Sequence, residues 1–267
     1  MVGHSHISVN NLLYSCVDKV QRGNEQFVAE HSLGYIISGE ISMQTENGPL
    51  RIQAGSIGMV RRNQLVKSLK VPPPSGECVA INIQIGQDFL RKYAADHKIE
   101  RCHKYAGESL LLLPPDPFLK GYFDSLLPYF TQGKQPPESL AQIKTNEAVE
   151  LLLNLDTVYR DFLFDFSEPH KVDLESYMNR HYTFNVPTAQ FARLTGRSLA
   201  AFKRDFEKIF KTSPGQWLQQ KRLAEAWYQI KEKGRKPTDV YLDVGFENLS
   251  HFSFAFKKAF GIAPSRA

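Results

Sequence analysis

Apolar and polar positions change their period along the chain. Between about Asn10 and Ile85, short β-rich runs alternate with turn signals. The runs are Gly34-Tyr-Ile-Ile-Ser-Gly39, Glu40-Ile-Ser-Met-Gln-Thr45, Leu50-Arg-Ile52, Ile57-Gly-Met-Val60 and Cys78-Val-Ala-Ile-Asn-Ile-Gln-Ile85, punctuated by Asn47-Gly-Pro49 and Ala54-Gly55. Strands of about four to eight residues with such turns between them predict an antiparallel sandwich or small barrel. Val71-Pro-Pro-Pro-Ser-Gly76 reads as a stiff surface loop, because consecutive prolines cannot donate to a ladder. From Asp116 to Thr131 and from Ser139 to Phe166 the apolar residues recur at three and four, which predicts two amphipathic helices. Gly133-Lys-Gln-Pro-Pro137 joins them as an antiparallel hairpin. Its apolar faces pack inside the domain or, alternatively, form part of a dimer interface. Ser167-Glu-Pro-His-Lys171 has a proline and no period. The expected division is therefore residues 1–167, a linker at 168–172, and residues 173–267, which read as helix throughout.

The helical part repeats itself. At an offset of 50, Phe202, Phe206, Lys208, Phe210 and Pro214 coincide with Phe252, Phe256, Lys258, Phe260 and Pro264; at 49, Gly196 and Ala192 meet Gly245 and Tyr241. This is a duplicated supersecondary unit of helix, glycine turn and helix, the pattern of a helix-turn-helix. Ser198 and Asn248 stand where N-caps are expected, with Pro187 and Pro237 in first turns. Phenylalanines at i, i+4 and i+8 of each second helix line one buried face. Ala200, Lys203 and Arg204 share the opposite stripe of the first copy. A helix in a major groove needs this arrangement, with a small residue for close approach and long basic ones to reach guanine or phosphate. A solvated face with a Lys203 to Glu207 pair, worth about 0.2–0.5 kcal/mol, is the alternative. Between the copies, Pro214 to Gln229 reads as one helix of about 24 Å. Such a rod can hold two recognition helices about 34 Å, one DNA turn, apart. Leu218, Leu223 and Trp227 would dock it, leaving Lys221 and Arg222 to phosphate or solvent.

Charge sharpens this picture. Residues 1–167 hold 16 Lys and Arg against 18 Asp and Glu, whereas residues 168–267 hold 17 against 10. A basic domain beside a near-neutral one suits a polyanion partner, most simply double-stranded DNA. Composition is that of an ordinary folded protein of 267 residues, 42% hydrophobic and 23% charged. No apolar run approaches the roughly 18–20 residues of a membrane span, and Met1 to Asn10 lacks the regions of a signal peptide. The expected location is the cytoplasm, without a membrane partner. Cys16, Cys78 and Cys102 are too scattered for a disulfide framework or a cysteine zinc site.

The C-terminal residues resemble the DNA-binding domain of the AraC/XylS family of transcription regulators. The resemblance rests on the glycine turn, the phenylalanine-rich helix, Arg222-Leu-Ala-Glu-Ala226, and Val244-Gly-Phe-Glu-Asn-Leu-Ser-His-Phe-Ser-Phe-Ala-Phe-Lys-Lys-Ala-Phe-Gly-Ile-Ala-Pro264. It covers about 95 residues from Asp173 on. It implies base-facing positions at Ala200, Lys203 and Arg204 in the first copy and at Ser250, His251 and Ser253 in the second; Ser198, Lys221 and Arg222 complete the candidate DNA-binding set. Tyr241 departs from a usual alanine and Phe254 from a usual polar or basic residue, which suggests that the second helix contributes more to positioning than to base readout. The N-terminal part, through Gly34-Tyr-Ile-Ile-Ser-Gly-Glu40 and Ile52-Gln-Ala-Gly-Ser56, resembles the cupin-type sensing domain of many members. Ser38-Gly-Glu40 and Val60-Arg-Arg62 are similar to the subgroup that activates type III secretion genes under a protein partner's control.

The expected fold is thus α+β: an N-terminal cupin-like β-sandwich or barrel with a helical hairpin, then a seven-helix domain with two helix-turn-helix motifs. The expected function is a sequence-specific, DNA-binding transcriptional activator that works with RNA polymerase, with a homodimer as a further expectation. Control by a small-molecule effector and control by a regulatory protein both remain open. No cofactor, metal or catalytic residue is expected. The rival from another class is a metal-dependent cupin enzyme with an incidental basic domain. Such an enzyme needs a His-x-His with a downstream Glu and His, whereas here His4-Ser-His6 precedes the predicted strands and no histidine lies between His31 and His97. His103, His170 and His181 are isolated, and no nucleotide-binding or nucleophile-elbow motif is present.

Overall fold

In the computed structural model, residues 5–22, 27–45, 48–99, 103–132 and 136–267 are described. The chain divides into two compact units, Met1–Ser167 and Glu168–Ala267.

The first unit is built on strands β1 (Ser5–Val9), β2 (Leu12–Val17), β3 (Gln21–Arg22), β4 (Phe27–Val28), β5 (His31–Ser38), β6 (Glu40–Thr45), β7 (Gly48–Gln53), β8 (Ile57–Val60), β9 (Gln64–Leu65), β10 (Lys67–Val71) and β11 (Cys78–Ile85). Helix α1 (Gln87–Asp96) and a short β12 (Leu110–Leu112) follow, then helices α2 (Pro117–Thr131), α3 (Glu138–Leu155) and α4 (Val158–Phe164). One antiparallel sheet runs β1-β2-β11-β5-β8-β12, a second β3-β10-β6-β7, and β4 pairs with β9. The large sheet is covered on both faces. Leu33, Tyr35, Ile81, Ile83 and Ile85 pack on helical residues such as Phe123, Leu126, Leu152 and Phe162. Alternate residues Ile36, Cys78 and Ala80 pack on Ile41 and Ile52 of the smaller sheet. The period of two along each strand thus divides one strand between two cores.

Several expectations change. The first strand begins at Ser5, so His6 lies within it and not before it, while His4 and Cys102 fall outside the described residues. Helix α1, β1 and β12 carry too little pattern to be anticipated. The predicted Ser139–Phe166 helix is two helices. At Asp156 the backbone is extended, and its carboxylate accepts from Val158 N–H at 2.9 Å, capping the start of α4.

The second unit comprises α5 (Leu174–His181), α6 (Thr188–Leu194), α7 (Leu199–Phe210), α8 (Pro214–Lys231), α9 (Pro237–Asp243) and α10 (Leu249–Phe260), closed by a 3-10 turn at Pro264–Arg266. Residues 168–267 are all described, and they hold six α-helices, not the seven expected. Helix α8 spans 18 residues and docks one copy at each end through a tryptophan. Trp217 meets Phe206 and Phe210 at 5.6 and 4.7 Å, and Trp227 meets Phe256 and Phe260 at 5.8 and 4.6 Å. Ten residues separate the two indoles, about 15 Å along the axis. Among the described residues, no helix is long and apolar enough to cross a membrane.

Candidate nucleic-acid interface

The two glycine turns set the geometry of the second unit. Gly196 has φ +64° and Gly245 φ +97°, in the region that favours glycine. A side chain at either would also collide with backbone: at Gly196 with His170 and Lys171, at Gly245 with the Thr183 carbonyl oxygen, 2.6 Å away. Each second helix is then launched by a cap. Ser198 Oγ accepts from Ala201 N–H at 3.2 Å, and Asn248 Oδ1 accepts from Ser250 and His251 N–H at 2.8 and 3.0 Å.

Phe202 and Phe206 in α7, and Phe252 and Phe256 in α10, are fully buried. This fixes which stripe of each helix faces outward. In α7 it carries Ala200, Lys203 and Arg204, all exposed, the Arg204 side chain 79% so. Lys203 and Glu207 border an open cleft with Thr188 and the start of α8, Ser213–Gly215. In α10 Ser250 and His251 are exposed and Ser253 half-buried. Lys221 on α8 is exposed, its ammonium 5.4 Å above the Trp217 ring.

Arg222 corrects the expectation that it faces phosphate or solvent. Its Nε donates to the Tyr182 carbonyl at 2.8 Å, one terminal nitrogen to Phe184 at 2.8 Å and the other to Gly245 at 3.0 Å. Burial pushes its pKa down to about 10, which leaves it a cation at neutral pH. Each of its three nitrogens thus donates to a carbonyl of the fold, so it ties the segment after α5 to the second glycine turn. Arg197, missed by sequence reasoning, does comparable work in the first copy. With its side chain only 7% exposed, it donates to Thr195 and Val172 carbonyls at 2.7 and 3.0 Å and pairs with Asp205 at 3.2 Å. Asp205 is held below the usual carboxylate range chiefly by the Arg197 hydrogen bond, against the opposing effect of burial, with the charges of Lys171, Arg197 and Arg204 adding to the lowering. Residues 168–172 are thereby fastened to the α6–α7 turn.

Two family profiles cover most of the sequence: a helix-turn-helix domain at residues 191–267 and the ExsA N-terminal regulatory domain at residues 31–158. The chain is also 24% identical to the HTH-type transcriptional regulator ExsA of Pseudomonas aeruginosa, over 89% of this chain and 86% of that protein. The chain belongs to the AraC/XylS family of transcriptional regulators. This regulator is 22% identical to the virulence regulon transcriptional activator VirF of Yersinia enterocolitica, over 90% of each. It also aligns with a crystal structure of apo ToxT from Vibrio cholerae over 96% of each chain at 16% identity, but with a TM-score of 0.46, a likeness too loose to bear on function.

As an AraC/XylS member, the protein is a DNA-binding transcriptional regulator with an N-terminal regulatory domain. Between the sheets of that domain lies a cavity of about 40 Å³, lined mainly by apolar and small residues with Ser32, Ser56 and Asn82. The Asn82 side chain fills the space that a Cβ on Gly34 would need. His31 points the other way, into the helical layer, 5.2 Å from the Phe162 ring. Neither of its ring nitrogens has a hydrogen-bond partner among the described residues. Burial, and then the charges of Arg62 and Arg61, hold its pKa down at about 3 against the pull of Asp165. The neighbouring Arg61 pairs with Asp165, and Arg62 donates to the Ser167 carbonyl at 2.7 Å. Among the described residues, no group of three His, Cys, Asp or Glu side chains is placed to hold a metal ion.

Proposed function

We propose that this regulator activates transcription by laying α7 and α10 into two major-groove segments about one helical turn apart, with its N-terminal domain answering to a regulatory protein. Ala200, Lys203 and Arg204 would face bases in the first segment and Ser250, His251 and Ser253 in the second. Ser198 and Lys221 would lie against phosphates. Lys203 and Arg204 would carry most of the base specificity. Arg222 is left out of this set, because each of its three nitrogens is bonded to a backbone carbonyl.

The observation that carries the reading is the paired stripe. Two helices that each follow a glycine turn and a side-chain N-cap bury the same phenylalanine positions, and their outward stripes expose Ala200, Lys203 and Arg204 in one and Ser250, His251 and Phe254 in the other, with Ser253 half-buried. Control by a partner protein is supported by the interior. A cavity of about 40 Å³ holds little more than a water molecule, against roughly 300–1,000 Å³ for a ligand pocket. Phe118 and Ile143, 72% and 59% exposed on the α2–α3 hairpin, supply apolar contact for a protein surface, whether a regulator or a second copy in a homodimer. Activation would proceed through RNA polymerase in the cytoplasm.

Arg204→Ala tests the DNA reading. Affinity for the specific duplex should fall by about 1–3 kcal/mol, with relaxed preference at one base pair and unchanged affinity for random DNA. An equal loss on both duplexes would make Arg204 a phosphate contact and remove the base-reading role.

A further inference from the structure

Phe254 is the anomaly of the second copy. At 69% exposed it stands apart from Phe252 and Phe256, which are fully buried in the same helix. It lies four residues from Ser250 and three from His251, so all three share the outward stripe. The offset of 50 that superposes the two phenylalanine faces puts Phe254 on Arg204. One turn further along the helix, Lys257 and Lys258 are exposed, placing positive charge at the flank of the stripe. The position with the longest basic reach in α7 thus carries, in α10, a ring with no in-plane donor or acceptor.

We infer that the second recognition helix reads the 5-methyl group of a thymine through Phe254. The inference rests on the reading above, in which α10 enters a major groove as α7 does. On the floor of that groove the thymine methyl is the apolar feature of the four base-pair edges; guanine N7 and O6 and the cytosine amine are polar and lose water against a phenyl ring without compensation. Arg204 suits guanine and Phe254 suits thymine, so the two copies select different bases with one scaffold. The α10 element is therefore read by direct contact and does more than position the protein.

The test uses the full chain and the duplex it selects from a random pool. Each thymine of the α10 element is replaced by uracil, which removes the methyl group alone, and binding is compared for the wild type and Phe254→Ala. One thymine should respond, with wild-type affinity falling about fourfold, the equivalent of about 0.8 kcal/mol for one buried carbon, and Phe254→Ala should bind both duplexes equally. Phe254→Arg should move the preference at that pair from thymine to guanine while leaving the α7 element unchanged. The inference is overturned if no thymine responds, or if Phe254→Ala keeps the same methyl sensitivity. It is overturned in favour of a protein contact if Phe254→Ala leaves DNA binding and methyl sensitivity intact but abolishes activation by RNA polymerase in vitro. Failure of the two-groove reading shows separately, as a selected site with only the α7 element, and overturns the inference as well.

Discussion

The two helix-turn-helix copies share a scaffold and differ in what fastens and faces it. In the first, the turn is locked from within, by Arg197 on the carbonyls of Thr195 and Val172. In the second, the corresponding position is Phe246, part of the apolar core, and the lock comes from Arg222 on α8. The first helix also ends on Lys211, at φ +56°, where the second ends on Gly261 at φ +78°. Buried positions have been kept because the phenylalanine face and the glycine turn admit few alternatives. Locks and outward residues differ because several side chains can fill them. Duplication therefore preserves the reading platform and leaves the reading to the stripe.

The sharpest way to break this comparison is to remove the second lock. Arg222→Leu should destabilise the second unit by about 3 kcal/mol or more, since three carbonyls lose a charged donor together. Chemical denaturation of the full chain reads this, and a loss of DNA affinity at unchanged stability would return Arg222 to the phosphate. A smaller effect belongs to the first unit. His31 is neutral in the fold, and the unfolded chain takes up a proton near pH 6.5, so between about pH 6.5 and 3 the unfolded state binds more protons. Stability of the first unit should fall as pH drops through that window, by up to about 1.4 kcal/mol per pH unit. His31→Leu should flatten the slope of the first thermal transition between pH 7 and 5; an unchanged slope would place the proton elsewhere. The smallest effect concerns the helix ends. Lys211→Gly should stabilise by about 1 kcal/mol and Gly261→Lys should cost a similar amount, because a left-handed cap penalises a side chain. Equal thermal midpoints for both variants and the wild type would show that the caps do not matter.

These differences also mark what the sequence made legible. The phenylalanine ladder, both N-caps and both glycine turns were readable because each depends on local spacing. Arg222 was misread as a surface cation paired with Lys221, although Leu218, Arg222, Ala226 and Ile230 recur at i+4 and the other three are buried. The periodic signal had already placed it inside, and its basic character obscured that. Arg197 and Trp217 depend on segments that meet only after folding, such as Val172 and the end of α7, and local pattern holds no trace of them. In the first unit, β5 and β11 were plain from their β-branched runs, whereas β1, β12 and α1 were missed because short edge strands and a helix of 10 residues carry little periodicity. The break at Asp156 turns on one capping carboxylate within a continuous apolar period.

The central claim is that two unlike stripes on like scaffolds read two neighbouring DNA elements. Its most direct test is selection of random duplexes by the intact protein, with sequencing, at two salt concentrations. The account predicts enrichment of a site with two short elements about one helical turn apart, with the preference kept when salt rises and overall affinity falls. Binding that follows salt but enriches no sequence would contradict it, and would reduce the second unit to a basic surface.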